Sequence, residues 1–385
     1  MIPRTLFTPE HETFRDSARR FMEEEVKPRD EKWQEQGYVD RDVWLKAGKN
    51  GFLCMTMPEE YGGAAADRLY SMVLIEEQAR ANITSIGWSL HSEIVAPYLL
   101  NYGGEALKRK YLPKMASGEM IGAIAMSEPG AGSDLQGVKT NAIRKGDRYL
   151  VNGSKTFITN GWNCDLAIVV AKTDPAKGAK GTSLLVVDTS MKGFTKGRRL
   201  KKMGLKGQDT AELFFDNVEV PAENLIGQEN NGFVYLMQEL PWERMQIAIA
   251  AAAKAEAAVR WTIDYVRERK AFGKPVSSFQ TTRFKLAELA TEAQAARLFV
   301  DRCMELLLAK QLDTATASMA KYWVTDLENR VIDECVQLHG GYGYMWEFPI
   351  SQAFVDARVQ RIYGGTNEIM KEVISRSLGL GEKQG

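Results

Sequence analysis

The spacing of apolar residues changes twice along this chain, and that double change restricts the fold more than any other feature. From residue 1 to about 120 the spacing is helical, through Phe7, Phe14, Ala18, Phe21 and Met22, then Tyr70–Arg80 and Glu105–Met115. Gly62-Gly63 and Gly103-Gly104 divide these stretches. Thr8-Pro9-Glu10 reads as a helix start, with a capping hydroxyl, proline in the first turn and an acid beside it. Between about 121 and 226 the texture becomes that of strands: Tyr149–Ile158, Leu166–Ala171, Ser183–Val187 and Glu212–Val220. Asn152-Gly153 reads as a hairpin turn. No helical pattern separates these runs, so an antiparallel sheet is expected, not a doubly wound one. From about 230 helical spacing returns in Met245–Arg269, Phe284–Leu308, Ala315–Gln337 and Ile369–Leu378. The alanine-rich first of these permits close packing in a bundle. The expected fold is α+β: an N-terminal helical domain over 1–120, a middle antiparallel β domain over 121–226 and a C-terminal helical bundle over 227–385.

Several function classes fall away. Lys+Arg and Asp+Glu each number 50, so nothing here argues for nucleic acid or an anionic membrane as a partner. The four cysteines form no CxxC pair and point to a reducing compartment. The three histidines have no metal-ligand partner at helical spacing. Ile247–Ala253, seven apolar residues, is far too short for a membrane span. The expectation is a soluble, cytoplasmic protein. No GxGxxG or GxxxxGK[ST] motif is present, so any dinucleotide binds outside a Rossmann domain.

Five elements are candidates for chemistry. Ala125–Asp134 places Gly130 and Gly132 between the hydroxyls of Ser127 and Ser133. Such backbone can approach a ring or an anion, or can simply turn at a strand end. Gln337–Tyr344 carries three glycines after a helical stretch, either a phosphate-contacting loop or a C-cap. His339 reads as packed or capping. Arg269, in Glu268–Pro275, suits a phosphate contact or a helix C-terminus. Tyr363–Glu368 puts two glycines before Thr366, as a backbone against a ligand or as a loop before the last helix. In Glu239–Arg244, Pro241 reads as a helix start. Glu243 would then be a desolvated base or a first-turn acid.

Taken together, in this order and in an α–β–α chain, these motifs resemble the acyl-CoA dehydrogenase family over nearly the whole length. The carrying segments are Met126–Asp134, Asn152–Lys155 with Phe157–Gly161, Lys202–Gly204, Glu268–Pro275 with Gln280, Gln337–Gly343 and Tyr363–Glu368. The resemblance implies non-covalent FAD in a homotetramer. It implies that Ile124, Ala125, Met126, Ser127, Gly132, Ser133, Phe157, Ile158 and Thr159 line the flavin. Thr366, Asn367 and Glu368 would hold other parts of it. Arg269, Gln280, Gln337, Leu338, His339, Gly340 and Gly341 would reach the FAD of a neighbouring subunit.

One departure is informative. Most family members carry their base in a Tyr-Glu-Gly-Thr loop, whereas this chain reads Tyr363-Gly364-Gly365-Thr366. The long-chain and isovaleryl branches place the base on the first helix of the bundle, and the matching residue here is Glu243. With Leu240–Arg244, the chain is most similar to the long-chain branch. The implied reaction is α,β-dehydrogenation of an acyl-CoA to trans-2-enoyl-CoA, with electrons passing to an electron-transferring flavoprotein. Glu243 would remove the α-proton. The Gly364 N–H would donate to the thioester oxygen. Ser133, Trp242, Arg244, Met245, Tyr363, Gly364 and Gly365 would contact substrate, with Trp242 and Met245 lining the acyl tunnel. Alternatives are a branched-chain or isoprenoid acyl-CoA dehydrogenase, an oxygen-using flavin enzyme and a non-catalytic scaffold.

Overall fold

A computed structural model describes residues 2–380. The N-terminal third is helical: α1 (Pro9–Phe21), α2 (Lys27–Gln36), α3 (Arg41–Lys49), α4 (Arg68–Arg80), α5 (Trp88–Leu90), α6 (Ala96–Tyr102) and α7 (Glu105–Ala116). Thr8 starts α1 as expected, in a capping box with His11. Short π-helical runs, Met22–Val26 and His91–Val95, join α1 to α2 and α5 to α6.

The middle block is one eight-stranded sheet. Its strands are β1 (Gly122–Ala125), β2 (Asn141–Lys145), β3 (Arg148–Thr159), β4 (Leu166–Lys172), β5 (Thr182–Asp188), β6 (Phe194–Arg199), β7 (Thr210–Pro221) and β8 (Leu225–Ile226). Their order is β6-β7-β3-β2-β4-β5-β8, with β1 beside β4. Most pairs are antiparallel, but β1 pairs with β4 in parallel, Gly122 opposite Leu166 through Ala125 opposite Val169. β2 also meets β4 in parallel at Asn141 and Lys172. The sheet is therefore antiparallel in most of its pairs, as expected, with parallel contacts where β1 and β2 meet β4. The crossover that a parallel pair requires is supplied by the β2–β3 hairpin, not by a helix. That hairpin turns at Gly146-Asp147, with Gly146 at φ +63°. Asn152-Gly153, expected as the turn, lies inside β3, at a bulge in its pairing with β7. Gly153 is needed there because a Cβ would stand 2.4 Å from Thr140 Oγ1. Strand β4 is buried on both faces: Leu166, Ile168 and Val170 pack on the N-terminal helices, and Ala167, Val169 and Ala171 on β3 and β7.

The last third is a bundle of α8 (Gly232–Glu268), α9 (Gln280–Leu308), α10 (Thr314–His339), α11 (Pro349–Ala357) and α12 (Asn367–Ser377). The hairpin of β9 (Lys270–Ala271) and β10 (Lys274–Pro275) separates α8 from α9. Alanines of α8 pack on Val300, Val324 and Val331 in the bundle core. Pro241 does not start this helix; it lies in its tenth position. Proline removes one helical hydrogen bond. The turns before it are held by Tyr235 and Leu236, buried against β4, β5 and α6. Glu243 therefore sits mid-helix, away from the positive end of the dipole. Among the described residues, no helix is long and apolar enough to cross a membrane.

Candidate active site

A cleft of about 300 Å³ opens where the three blocks meet. One wall is the β domain: Ile124, Met126, Ser127 and Phe157–Thr159. The opposite wall is α4 and its neighbours, with Ile75, Gln78, Ala79, Ile86, Leu90 and Ile94. The bundle closes the cleft with Glu243, Gln246, Ile247, Ala250 and Lys254 of α8 and with Gln360, Tyr363 and Gly364. Positions 243, 247, 250 and 254 share one helix face, which explains why these side chains reach the same space.

Local backbone aims the β-domain wall. A second bulge in β3, between Lys155 and Ile158, leaves Phe157 at φ +60° and well exposed. Lys155 donates to Met126 O and to Glu128 Oε1, both at 2.9 Å. Glu128 also accepts from the Lys139 and Thr140 N–H groups. This buried pair fixes the chain leaving β1, and Ser127 O accepts from Thr156 N.

Glu243 is buried, and loss of solvent raises its carboxyl to about 7. The Tyr98 O–H donates to its Oε1 at 2.8 Å, which favours the charged form. Gly364 faces the same cleft at φ +64°. Its N–H makes no hydrogen bond among the described residues. A buried carboxyl poised near neutrality beside a free N–H donor can take a proton from a weak carbon acid and hold the developing oxyanion.

Other expected residues lie elsewhere. Trp242 and Met245 pack in the bundle core and not along the cleft; Trp242 Nε1 donates to Glu93 at 3.2 Å. They point away because α8 turns them 100° or more from the face of Glu243 and Ile247. Arg244 donates to Ser318 Oγ at 2.9 Å inside the bundle. Ala125, the last residue of β1, is buried in the sheet's own core, and Gly132, Ser133 and Gly365 do not line the cleft either. Thr366 caps α12 by accepting from Ile369 N, and Glu368 is exposed in its first turn. Asn367 is buried and turned inward: it donates to Tyr322 O, Thr325 Oγ1 and Asp326 Oδ1 and accepts from Lys321. Its amide is thereby used in holding the loop.

A second concavity gathers Arg269, Gln337, Leu338, His339, Gly340 and Gly341 with Tyr265 and Tyr342; Gln280 lies outside it. His339 donates from Nδ1 to Cys335 O and stacks on Tyr265, and burial holds its imidazole below the usual range. Arg269 lies over Tyr342 and has no carboxylate partner among the described residues.

Sequence reasoning missed Tyr98, Ile247 and Lys254. Tyr98 sits in an apolar helix with nothing local to mark it. Ile247 could have been found, since it stands one turn beyond Glu243.

Three family models match the chain in order: acyl-CoA dehydrogenase N-terminal domain over residues 8–119, middle domain over 123–218 and C-terminal domain over 230–379. The chain belongs to the acyl-CoA dehydrogenase family, oxidoreductases that act on a CH–CH bond. It is 56% identical to the mouse mitochondrial long-chain specific acyl-CoA dehydrogenase over 377 residues, 97% of this chain and 88% of that one. A solved acyl-CoA dehydrogenase from Geobacillus kaustophilus superposes with a TM-score of 0.96 at 49% identity, covering 98% of this chain and 100% of that one. A solved acyl-CoA dehydrogenase from Bacillus anthracis, complexed with FAD, gives 0.91 at 31% identity, covering 97% and 68%.

Proposed function

We propose that this chain dehydrogenates long-chain acyl-CoA thioesters to trans-2-enoyl-CoA, with FAD as its cofactor and Glu243 as the base. The observation that carries the reading is the buried Glu243 carboxyl, held in one cleft with the glycine that replaces the usual loop carboxylate. The identity with the mouse enzyme supports the long-chain class. The cleft fits a flavin: an exposed Phe157, apolar Ile124 and Met126, and residues Ser127 and Thr159 with hydroxyls on the same wall. Arg269, without a carboxylate partner among the described residues, and the glycines of the second concavity suit the anionic part of such a cofactor, brought from a neighbouring subunit of a homotetramer. An electron-transferring flavoprotein would accept the electrons.

Once bound, FAD supplies the hydride acceptor for the β-hydrogen. Glu243 takes the α-proton at its carboxylate. The Gly364 N–H donates to the thioester oxygen and stabilises the enolate as the proton leaves. The apolar wall of α4 and α8 excludes water from the reacting carbons.

Anaerobic bleaching of the flavin absorbance by a panel of acyl-CoAs tests the reading. Straight chains from short to long, isovaleryl and citronellyl thioesters should be compared, and the longer straight chains should bleach fastest. Glu243→Gln should slow bleaching by roughly 10²–10⁴-fold, as for loss of a general base. Wild-type rates in that variant would remove Glu243 from the role.

A further inference from the structure

Two helices meet above the base in a ladder. On α6, Tyr98 and Tyr102 stand one turn apart; on α8, Glu239 and Glu243 do the same. Tyr98 donates to Glu243 Oε1 at 2.8 Å, and Tyr102 donates to Glu239 Oε1 at 2.8 Å. Asn101 Nδ2 reaches Glu239 Oε1 at 2.8 Å, and Tyr102 stacks on Tyr235 at 4.2 Å. The two rungs fix the register of α6 on α8.

We propose that Tyr98 and Glu239 are positioning residues for the base: the phenol steadies the charged carboxylate, and Glu239 opposes it. This rests on Glu243 being the base. The physical need is plain. Burial alone favours the protonated acid, which cannot accept the α-proton. A phenol donating to Oε1 stabilises the anion and leaves Oε2, which makes no hydrogen bond among the described residues, to take the proton. The negative charge of Glu239 disfavours the anion and keeps the carboxylate basic. Burial and the neighbouring carboxylates push the Tyr98 phenol well above its usual range, so it remains a donor throughout the working pH. Of the other charged groups nearby, Arg244 adds a weaker pull toward the Glu243 anion. Arg244 of α8 donates to Ser318, and Lys321 of α10 donates to Gly365 O and Asn367. The Gly364 loop brings the Tyr363 phenol to the cleft beside its backbone and no charged side chain.

The test is the pH profile of flavin bleaching by acyl-CoA in the holoenzyme. Tyr98→Phe should move its midpoint up by roughly one to two pH units, the effect of one lost hydrogen bond to a charged group. The rate lost at neutral pH should return as pH rises. Glu239→Gln should move the midpoint down. The infrared carbonyl band of protonated Glu243, assigned by difference from Glu243→Gln, should titrate with the same midpoints without turnover. Flavin content reports folding. If Tyr98→Phe loses its flavin, the half-exposed Glu239 still carries the test. Unmoved midpoints, shifts of one sign, or a rate loss in Tyr98→Phe equal at every pH would overturn the proposal. These results, with Glu243→Gln inactive, defeat this inference alone; an active Glu243→Gln defeats the assignment of the base.

Discussion

At the scale of single residues, Gly364 and Ile247 bear on why the loop facing Glu243 carries no side chain at 364. A Cβ on Gly364 would stand 2.4 Å from Ile247 Cδ1, and the backbone there is left-handed. Position 364, where the family resemblance places a carboxylate, is thus approached by an isoleucine one turn beyond Glu243. A side chain at 364 and Ile247 on α8 compete for the same space. Gly364→Ala should therefore meet two penalties. The left-handed backbone costs about 1–2 kcal/mol, and the overlap about 1–3 kcal/mol. Ile247→Val removes the Cδ1 that makes the overlap, the next atom lying 3.9 Å away, and should return most of the second penalty and none of the first. Denaturant melts of the wild type, both single variants and the double variant measure that coupling. Strict additivity would show that Ile247 is not what excludes a side chain at 364.

At the scale of elements, α10 holds the active loop. Lys321 Nζ donates to Gly365 O at 2.7 Å and to Asn367 Oδ1 at 2.9 Å, and Asn367 spreads three donated bonds over α10. The Gly364 N–H is therefore placed by a lysine that does not line the cleft. Lys321→Met keeps the length of the stem and removes the ammonium. It should lower kcat about tenfold or more through misplacement of the donor, with a smaller change in KM. Stopped-flow bleaching over a range of acyl-CoA concentrations separates the two, and an unchanged kcat would show that the loop needs no such anchor. The helices and strands themselves were legible, because spacing and burial agree in long runs such as Ala315–Gln337 and Leu166–Ala171. Pro241 and Asn152-Gly153 misled for one reason. Each is a local signal overridden by packing outside its own segment: Tyr235 and Leu236 packed on the sheet, and Thr140 beneath Gly153. Glu243 and Gly364 could be singled out from motif order. Tyr98 could not, since its partner lies 145 residues away. Trp242 and Met245 stand next to the right residues in sequence, but on the wrong face of the helix.

At the scale of the whole molecule, one buried carboxylate joins the α4 wall of the cleft to both α1 and the bundle. Glu76, fully buried on α4, accepts from Arg4 through both oxygens, from Arg15 of α1 at 2.9 Å and from Arg297 of α9 at 2.9 Å. Arg297 also pairs with Glu256 of α8, and Arg4 with Asp301 of α9. Ile75, Gln78 and Ala79, which line the cleft, flank Glu76 on the same helix. The hub therefore helps hold the α4 wall against the helix that carries Glu243. Burial raises the Glu76 carboxyl, but the surrounding guanidiniums outweigh it and hold the group far below the carboxylate range. A carboxyl depressed on folding adds stability that is complete above its unfolded value, near 4.5, and fades as pH falls below that. Glu76→Gln keeps the shape and leaves several buried guanidiniums short of a counter-charge. It should cost about 3–5 kcal/mol at pH 7. The gap to wild type should then shrink by about 1.4 kcal/mol for each pH unit below about 4.5. Urea melts of both proteins between pH 8 and pH 3 read this directly. Two curves that stay parallel into acid would mean that Glu76 contributes shape and hydrogen bonds, and that its charge is not what joins the N-terminal helices to the bundle.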